Sequence, residues 1–447
     1  MERREFQKEL MALALAEGFS DCEAYYRENR HFEVMVLEGE VSDYENSGLR
    51  GVAFRGTYEG RTGYSYTERM EREDIAYLVK SARENAVLLP KEEREKLYAP
   101  AKPVGHWEKL NPHLEQLTAE EKVQAAKRME AAALQEEDAV VSMDYCVLGT
   151  DWIETAICNS LGLDVSCRRN MVTAYVCAIA KEGDEVKTGA YFWKGQNWHE
   201  FDPAATGKKA AEMAVSHLGA GGVASGRYGV VLEGRVMASF LRVFAPVFFG
   251  ETVQKGFSLL AGKRGETIAA ACVTLRDDPL LETGYVYAPF DSEGVPCRNK
   301  AVIEKGVLKT FLYNLKSAEK DGVASTGNGF KAGLTSPVKT AVTNFYLEPG
   351  KRSREELLAD LGDGLLITDI TGLHAGANTV SGDFSLSAEG FLVENGNIGR
   401  PVEQITVAGN FYELLRTMEE VGNDLYFAGN GTGAPSVRVR EMSVAGE

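Results

Sequence analysis

"TGLHAGANTVSGDFSLSAEG", residues 371–390, admits two readings. It carries His374, the only histidine in the second half of the chain, with Asp383 and Ser385 close behind. A catalytic loop built on a histidine base is one reading. The other is sheet. From Asp383 onward, Phe384 and Leu386 alternate with Ser385, Ser387 and Glu389, the period of two that marks a half-buried strand. The small residues before it allow backbones to approach closely. The alternation decides for an irregular lead-in followed by sheet, with Phe384, Leu386 and Phe391 inward and Ser385, Ser387 and Glu389 outward.

The same pattern extends both ways. "HFEVMVLEGEV" (31–41), "VIEKGVL" (302–308) and "FLVENGNI" (391–398) each place a short Gly turn between apolar residues. Asn395-Gly396 suits a two-residue turn in which both positions take positive φ. "GLRGVAFRGTYEGRTGYSYT" (48–67) reads as another hairpin with Gly60 near its tip, and further strands are expected around 139–148, 172–181 and 187–194. Phe6, Leu10 and Leu13 lie on one face of a first helix ending near Gly18. Thr118 and Glu121 form a capping box for a helix running to about Gln135, and Ser353 with Glu356 opens another. Helices are also expected from Pro203 to His217, over 235–251, and over 410–422, where Gly422 stops the last. The Gly-rich "LGAGGVASGRYG" (218–229) marks a boundary. The expected class is α+β: a mixed α/β region over 1–218, a linker at 219–228, and a β-rich, mostly antiparallel domain over 229–447.

A chain of 447 residues exceeds one ordinary core. Its net charge of −17 argues against a nucleic-acid surface, which needs clustered Lys and Arg. No stretch approaches the ~20 apolar residues of a membrane span. Glu2, Glu5 and Glu9 interrupt the first helix, so it does not read as a signal peptide, and a cytoplasmic location is expected. The seven cysteines include no C-x-x-C, and Cys158, Cys167 and Cys177 sit among apolar residues, as buried reduced thiols do.

Local chemistry yields no active site. A zinc-protease helix needs two histidines on one face with a glutamate beside them. The one His-Glu pair, His199-Glu200, has no second histidine and is followed by Pro203. "TGNGFKAG" (326–333) and "GNGTGAP" (429–435) lack the phosphate-loop spacing. Cys297 in "EGVPCRN" precedes Arg298, a neighbour that can lower a thiol's pKa, but no base is in view. His374 with Asp383 or Ser385 is at most a partial triad.

From about residue 295 the chain resembles the TldD/TldE family, also called PmbA or "modulator of DNA gyrase". The resemblance is carried by "EGVPCRNKAVIEKGVLKTFLYN", "TGNGFKAGLTSPVKTAVTNFYLEPG", "SGDFSLSAEGFLVENGNIGRPVEQITVAGNFYELLRTMEEVGNDLYF" and "VREMSVAGE", and in the front half by "ENSGLRGVAFRGTYEGRTGYS". It implies a cytoplasmic metalloprotease complex acting on unfolded peptides. The TldD type carries H-E-x-x-x-H on the helix after the first strand of the C-terminal domain, and a cysteine ligand near the C-terminus. Here the strand is "YGVVLEG" (228–234), and the motif's positions on the following helix hold Leu241, Arg242 and Pro246. "AGNGTGAPSV" has no cysteine. The resemblance therefore implies the metal-free TldE/PmbA type, with no catalytic or metal residue in this chain and zinc only in a TldD-type partner. Asn328, Gly329, His374, Asp383 and Ser385 are the candidates for peptide or partner contact.

Three readings stay open. The first is a non-catalytic subunit pairing with a TldD-type chain. The second is a stand-alone homo-oligomer, a homodimer in the simplest case, that binds peptide or protein without cleaving it. The third is a metal-independent hydrolase using Cys297 or Ser385.

Overall fold

The computed structural model describes residues 1–89, 95–100 and 105–446. The front half is built on a seven-stranded sheet. Its strands are β1 (Asp21–Leu37), β2 (Glu40–Tyr58), β3 (Arg61–Thr67), β4 (His106–Lys109), β5 (Val140–Asn159), β6 (Asp164–Glu182) and β7 (Glu185–Gly195). The order is β3-β2-β1-β5-β6-β4, with β7 also paired to β6. All neighbours are antiparallel except β4 and β6.

Among the described residues, the α-helices of this half are α1 (Arg3–Ala16), α2 (Arg72–Leu88), α3 (Pro112–Gln116), α4 (Ala119–Glu136) and α5 (Pro203–Ser216). α1 and α2 cover Ala24, Tyr26, Val52 and Phe54, while α4 and α5 cover Phe32, Val34, Leu148 and Val176. The α4–α5 crossing is close. A Cβ on Gly207 would lie 2.0 Å from the Met129 carbonyl oxygen. The expected Thr118–Glu121 capping box opens α4.

The long strands exceed the short pieces expected from the sequence. Glu28, Arg30, Glu154 and Arg168 interrupt the apolar alternation because they lie in the cleft where the two helix pairs part. Four of the hairpin turns, Glu38-Gly39, Glu59-Gly60, Lys305-Gly306 and Asn395-Gly396, have positive φ at both positions.

In the back half β8 (Gly226–Leu232) leads into α6 (Gly234–Phe244). A six-stranded sheet runs in the order Asn397–Asn410, Asp383–Glu394, Gly364–Thr371, β8, Val437–Ala445, Met418–Val421. Only β8 with Gly364–Thr371 is parallel. One face of the sheet buries Val230, Ile367, Leu386 and Val407 against Phe240 and Phe244 of α6. The helix Arg354–Leu361 covers part of the other face through Leu357 and Leu358. A second six-stranded sheet, centred on Leu275–Asp277 and Phe345–Leu347, carries the loops that meet the N-terminal sheet.

Several expectations change. The helix expected over 410–422 spans Phe411–Thr417 only. Met418–Val421 is a strand, because pairing with Val437–Val439 buries Met418 and Val421. The helix expected over 235–251 stops at Phe244. Pro246 has no N–H to continue it, so a 3-10 turn over Ala245–Phe248 intervenes before a short helix, Gly250–Gln254. Phe391 does not join Phe384 and Leu386. The period of two places it on the opposite face, beside Leu357 and Val393, while Ala388 and Leu392 keep to the face of Phe384 and Leu386. The Gly-rich boundary is tied down at its end: Gly221 bridges Val402, and Arg400 Nη2 donates to the Gly222 carbonyl at 2.7 Å. Among the described residues no helix is long and apolar enough to cross a membrane.

Candidate functional site

The positions of the H-E-x-x-x-H resemblance lie on and just after α6. Leu241 is 1% exposed and packed in the main core. Arg242 is exposed, and Pro246 is half-buried in the 3-10 turn. Around them the core is aromatic: Phe244 stacks on Phe411 with centroids 4.4 Å apart, and Phe240 meets Phe384 at 4.7 Å. Among the described residues no three His, Cys, Asp or Glu side chains gather as a metal site would require.

The opening stretch forms a short helical turn, Leu373–Gly376, entered through Gly372 at φ +83°. His374 is exposed there. Asp383 and Ser385 line a shallow groove of about 520 Å³ with Gly376 and Asn378. Asp383 accepts from Asn410 Nδ2 at 2.9 Å, a bond that holds its carboxyl below the usual range. Ser385 is an exposed residue in the middle of the sheet, opposite Ala408. No Ser-His-Asp geometry results.

Asn328 and Gly329 occupy another place altogether. Asn328 is 0% exposed. Its Nδ2 donates to Asp277 Oδ2 and the Ala341 carbonyl, both at 2.8 Å, and its Oδ1 accepts from Thr326 Oγ1. Gly329 N–H donates to Asp291 at 2.8 Å, and a Cβ there would meet the Glu293 carboxylate at 2.3 Å. Both residues are therefore committed inside the chain. Burial pushes the carboxyls of Asp291 and Glu293 up from their ordinary values. Burial likewise pushes the Cys297 thiol well above its usual range, which removes the lowering expected from Arg298. Cys297 Sγ instead donates to the Gly327 carbonyl at 3.0 Å. His199 stacks on His113 with centroids 4.7 Å apart, a pairing that the separation in sequence concealed.

Two surface features come from the long β1–β2 hairpin. β3 pairs with β2 only from Val52 onward, so Glu40–Gly51 keeps one edge unpaired among the described residues. Its N–H and C=O groups form a ready template for an added strand. On the helix face, the cleft between the two helix pairs has a volume of about 720 Å³. Its charges are largely self-paired, as in Arg3–Glu154 and Arg30–Glu28.

The third feature is the seam where the other face of the N-terminal sheet meets the C-terminal loops. Phe290 and Leu334 pack on Tyr25, Ala53 and Ile157. Asn344, fully buried, clamps the overlying loop: its Nδ2 donates to the carbonyls of Asp278 and Val286, and its Oδ1 accepts from Val286 N–H. Beneath that loop a cavity of about 460 Å³ is lined by Lys109, Arg169, Lys194, Tyr285 and Tyr287. Nothing in the sequence singled these residues out. The one available signal was a cation at the inward position of an otherwise alternating strand.

Comparison with known proteins turns this geometry into a relationship. A Thermotoga maritima protein whose crystal structure is named modulator of a DNA gyrase superposes with a TM-score of 0.91, at 36% identity over 99% of this chain and 100% of that one. The family models described as PmbA/TldA metallopeptidase domain 1, central domain and C-terminal domain match residues 22–86, 112–218 and 225–446. The chain belongs to the PmbA/TldD metalloprotease family. Relatives in this family include the Escherichia coli O157:H7 metalloprotease PmbA, 26% identical over 98% of this chain and 95% of that protein. A Thermococcus kodakarensis structure named TldE shares the fold at a TM-score of 0.90 and 24% identity, covering 98% of this chain and 100% of that one. The boundary between the first two family domains falls where the helix pairs of the N-terminal half part, although the sheet beneath them is continuous.

Proposed function

We propose that this chain is the TldE/PmbA-type, non-catalytic subunit of a cytoplasmic complex that processes unfolded peptides, with the metal chemistry supplied by a TldD-type partner. The observation that carries the reading is the packing of α6. A catalytic zinc needs imidazole or carboxylate donors around an open position. The corresponding positions here hold a buried leucine, an exposed arginine and a proline, set among stacked phenylalanines. That donor set does not fit zinc, and no catalytic step is assigned to it.

The chain's own contribution is to bind. The free edge of β2 offers main-chain hydrogen bonds to an extended peptide whatever its side chains, which suits a substrate defined by being unfolded. The outer face of the C-terminal sheet presents small side chains at paired positions, Ser385 with Ala408 and Ser387 with Thr406, with Ser443 alongside Ala408. Such a face lets a partner subunit approach closely. It suits a second copy of this chain as well, which keeps a homodimeric binding module as the alternative.

Co-expression with a TldD-type chain separates the two. The expected result is co-purification in equal amounts and chelator-sensitive hydrolysis of an unfolded peptide, with the lone chain inert. A lone chain that forms a stable dimer and leaves the TldD-type chain's activity unchanged would favour the alternative.

A further inference from the structure

On the N-terminal side of the seam, β4 and β6 pair so that Lys109 stands directly opposite Arg169. Like charges directly opposite one another on a sheet are destabilising. Lys194, on β7, projects into the same cavity. None of the three makes an ion pair among the described residues. The chain holds 66 acidic residues against 49 lysines and arginines, so cations left without carboxylates here are not a matter of supply.

The hydrogen bonds the three do make are with backbone carbonyls. Arg169 Nη1 donates to the Tyr287 oxygen at 2.8 Å, and Lys194 Nζ to the Gly429 oxygen at 3.4 Å. Arg169 Nε is buried with no partner. The nearby acids are otherwise placed. Asp151 bonds His31 Nδ1 at 2.9 Å, and Glu200 and Glu282 are exposed at the rim. Burial lowers the pKa of Lys109, and that of Lys194 to about 8, as expected where an ammonium lacks its counter-charge.

We propose that this cavity binds the carboxylate end of a short peptide, with Arg169, Lys194 and Lys109 receiving the anion and Tyr285 and Tyr287 walling the side chains. A volume of about 460 Å³ is larger than a bare inorganic anion needs and lies within the range of small-molecule sites. Lysine and tyrosine already meet there: Lys109 lies 5.2 Å from the Tyr287 ring centroid and Lys194 5.6 Å from that of Tyr285. The exposed carboxylates at the rim disfavour a multiply charged phosphate and suit the ammonium of a zwitterion. The proposal rests on the peptide-handling reading above for the class of its ligand.

The test is calorimetric titration of the full chain with the tripeptide Ala-Ala-Tyr, with its C-terminal amide, and with inorganic phosphate. The free acid is expected to bind at least about tenfold more tightly than the amide, the scale of one charged hydrogen bond. Lys194→Met is expected to lose a similar factor and Lys194→Arg to recover it, with thermal melts confirming that both variants fold. Equal affinity for acid and amide, an unaffected Lys194→Met, or tighter binding of phosphate than of peptide would overturn the proposal. If hydrolysis with a TldD-type partner holds while acid and amide bind alike, this site alone fails. If the acid is preferred but no partnered hydrolysis exists, the subunit role alone fails.

Discussion

Lys300→Met should destabilise the C-terminal half through the carboxylate it leaves behind. Asp277 is 0% exposed and accepts four hydrogen bonds: from Lys300 Nζ at 2.8 Å, Asn328 Nδ2 at 2.8 Å, Thr343 N–H at 2.6 Å and Thr343 Oγ1 at 2.7 Å. Lys300 pairs with it across two strands, and its side chain is only 9% exposed. Removing one partner of a buried ion pair costs about 3–5 kcal/mol, because the remaining charge has no compensation. Three neutral donors still solvate Asp277, which places the expectation at the low end, about 3 kcal/mol. For a unit of this size, at about 2–4 °C per kcal/mol, the melting midpoint falls by roughly 6–12 °C.

The control is Asp277→Asn with Lys300→Met. Removing both charges should recover part of the loss, so the double variant is more stable than the two single losses added together. Thermal melts of the wild type, both single variants and the double variant decide it. A midpoint shift below about 2 °C for Lys300→Met, or strict additivity in the cycle, would show that Asp277 and Lys300 are not energetically coupled.

Phe244→Ala removes a fully buried ring stacked on Phe411 and should cost about 3–5 kcal/mol in denaturant melts. A loss under about 1 kcal/mol would mean that α6 borders open space. Lys331 lies 4.8 Å from the Tyr25 ring, and burial lowers its pKa from 10.5 to about 8. A depressed folded-state pKa leaves stability present above the unfolded value and lost as pH falls through the folded one. Lys331→Met should therefore exceed the wild type by up to ~3 kcal/mol at pH 7, and by progressively less as pH rises from 8 to 10.5. A constant difference across that window would count against the assignment. The triple change Leu241→His, Arg242→Glu and Pro246→His should yield no zinc-dependent peptidase, because it buries the imidazole at position 241 in an apolar core and supplies no second shell that orients ligands. Chelator-sensitive cleavage by that variant alone would contradict the packing argument.

What the sequence disclosed follows from the range of the forces involved. Hairpin turns were legible because Asn395-Gly396 and Lys305-Gly306 need positive φ whatever surrounds them. The capping boxes at Thr118 and Ser353 were legible for the same local reason. Phe384 and Leu386 faced inward as the alternation required; Phe391 did not, because an unbroken period of two puts position 391 on the other face with Val393. Met418–Val421 read as helix since only distant pairing with Val437–Val439 makes it a strand. At the site, Asn328 and Gly329 looked like surface contacts in a Gly-rich run. Instead the Asn328 amide donates to the buried Asp277 and the Gly329 N–H to the buried Asp291, two carboxylates that lie well before them in the chain. The seam cations were not legible at all, since Lys109, Arg169 and Lys194 converge only when three strands align.

Counting zinc decides whether metal chemistry resides outside this chain. The purified chain, alone and after reconstitution with a TldD-type partner, is dialysed against trace zinc and analysed by atomic emission. The expected result is no stoichiometric zinc in the lone chain and about one ion for each TldD-type chain in the complex. About one zinc per lone chain, lost on replacing a single histidine such as His374 or His199, would contradict it.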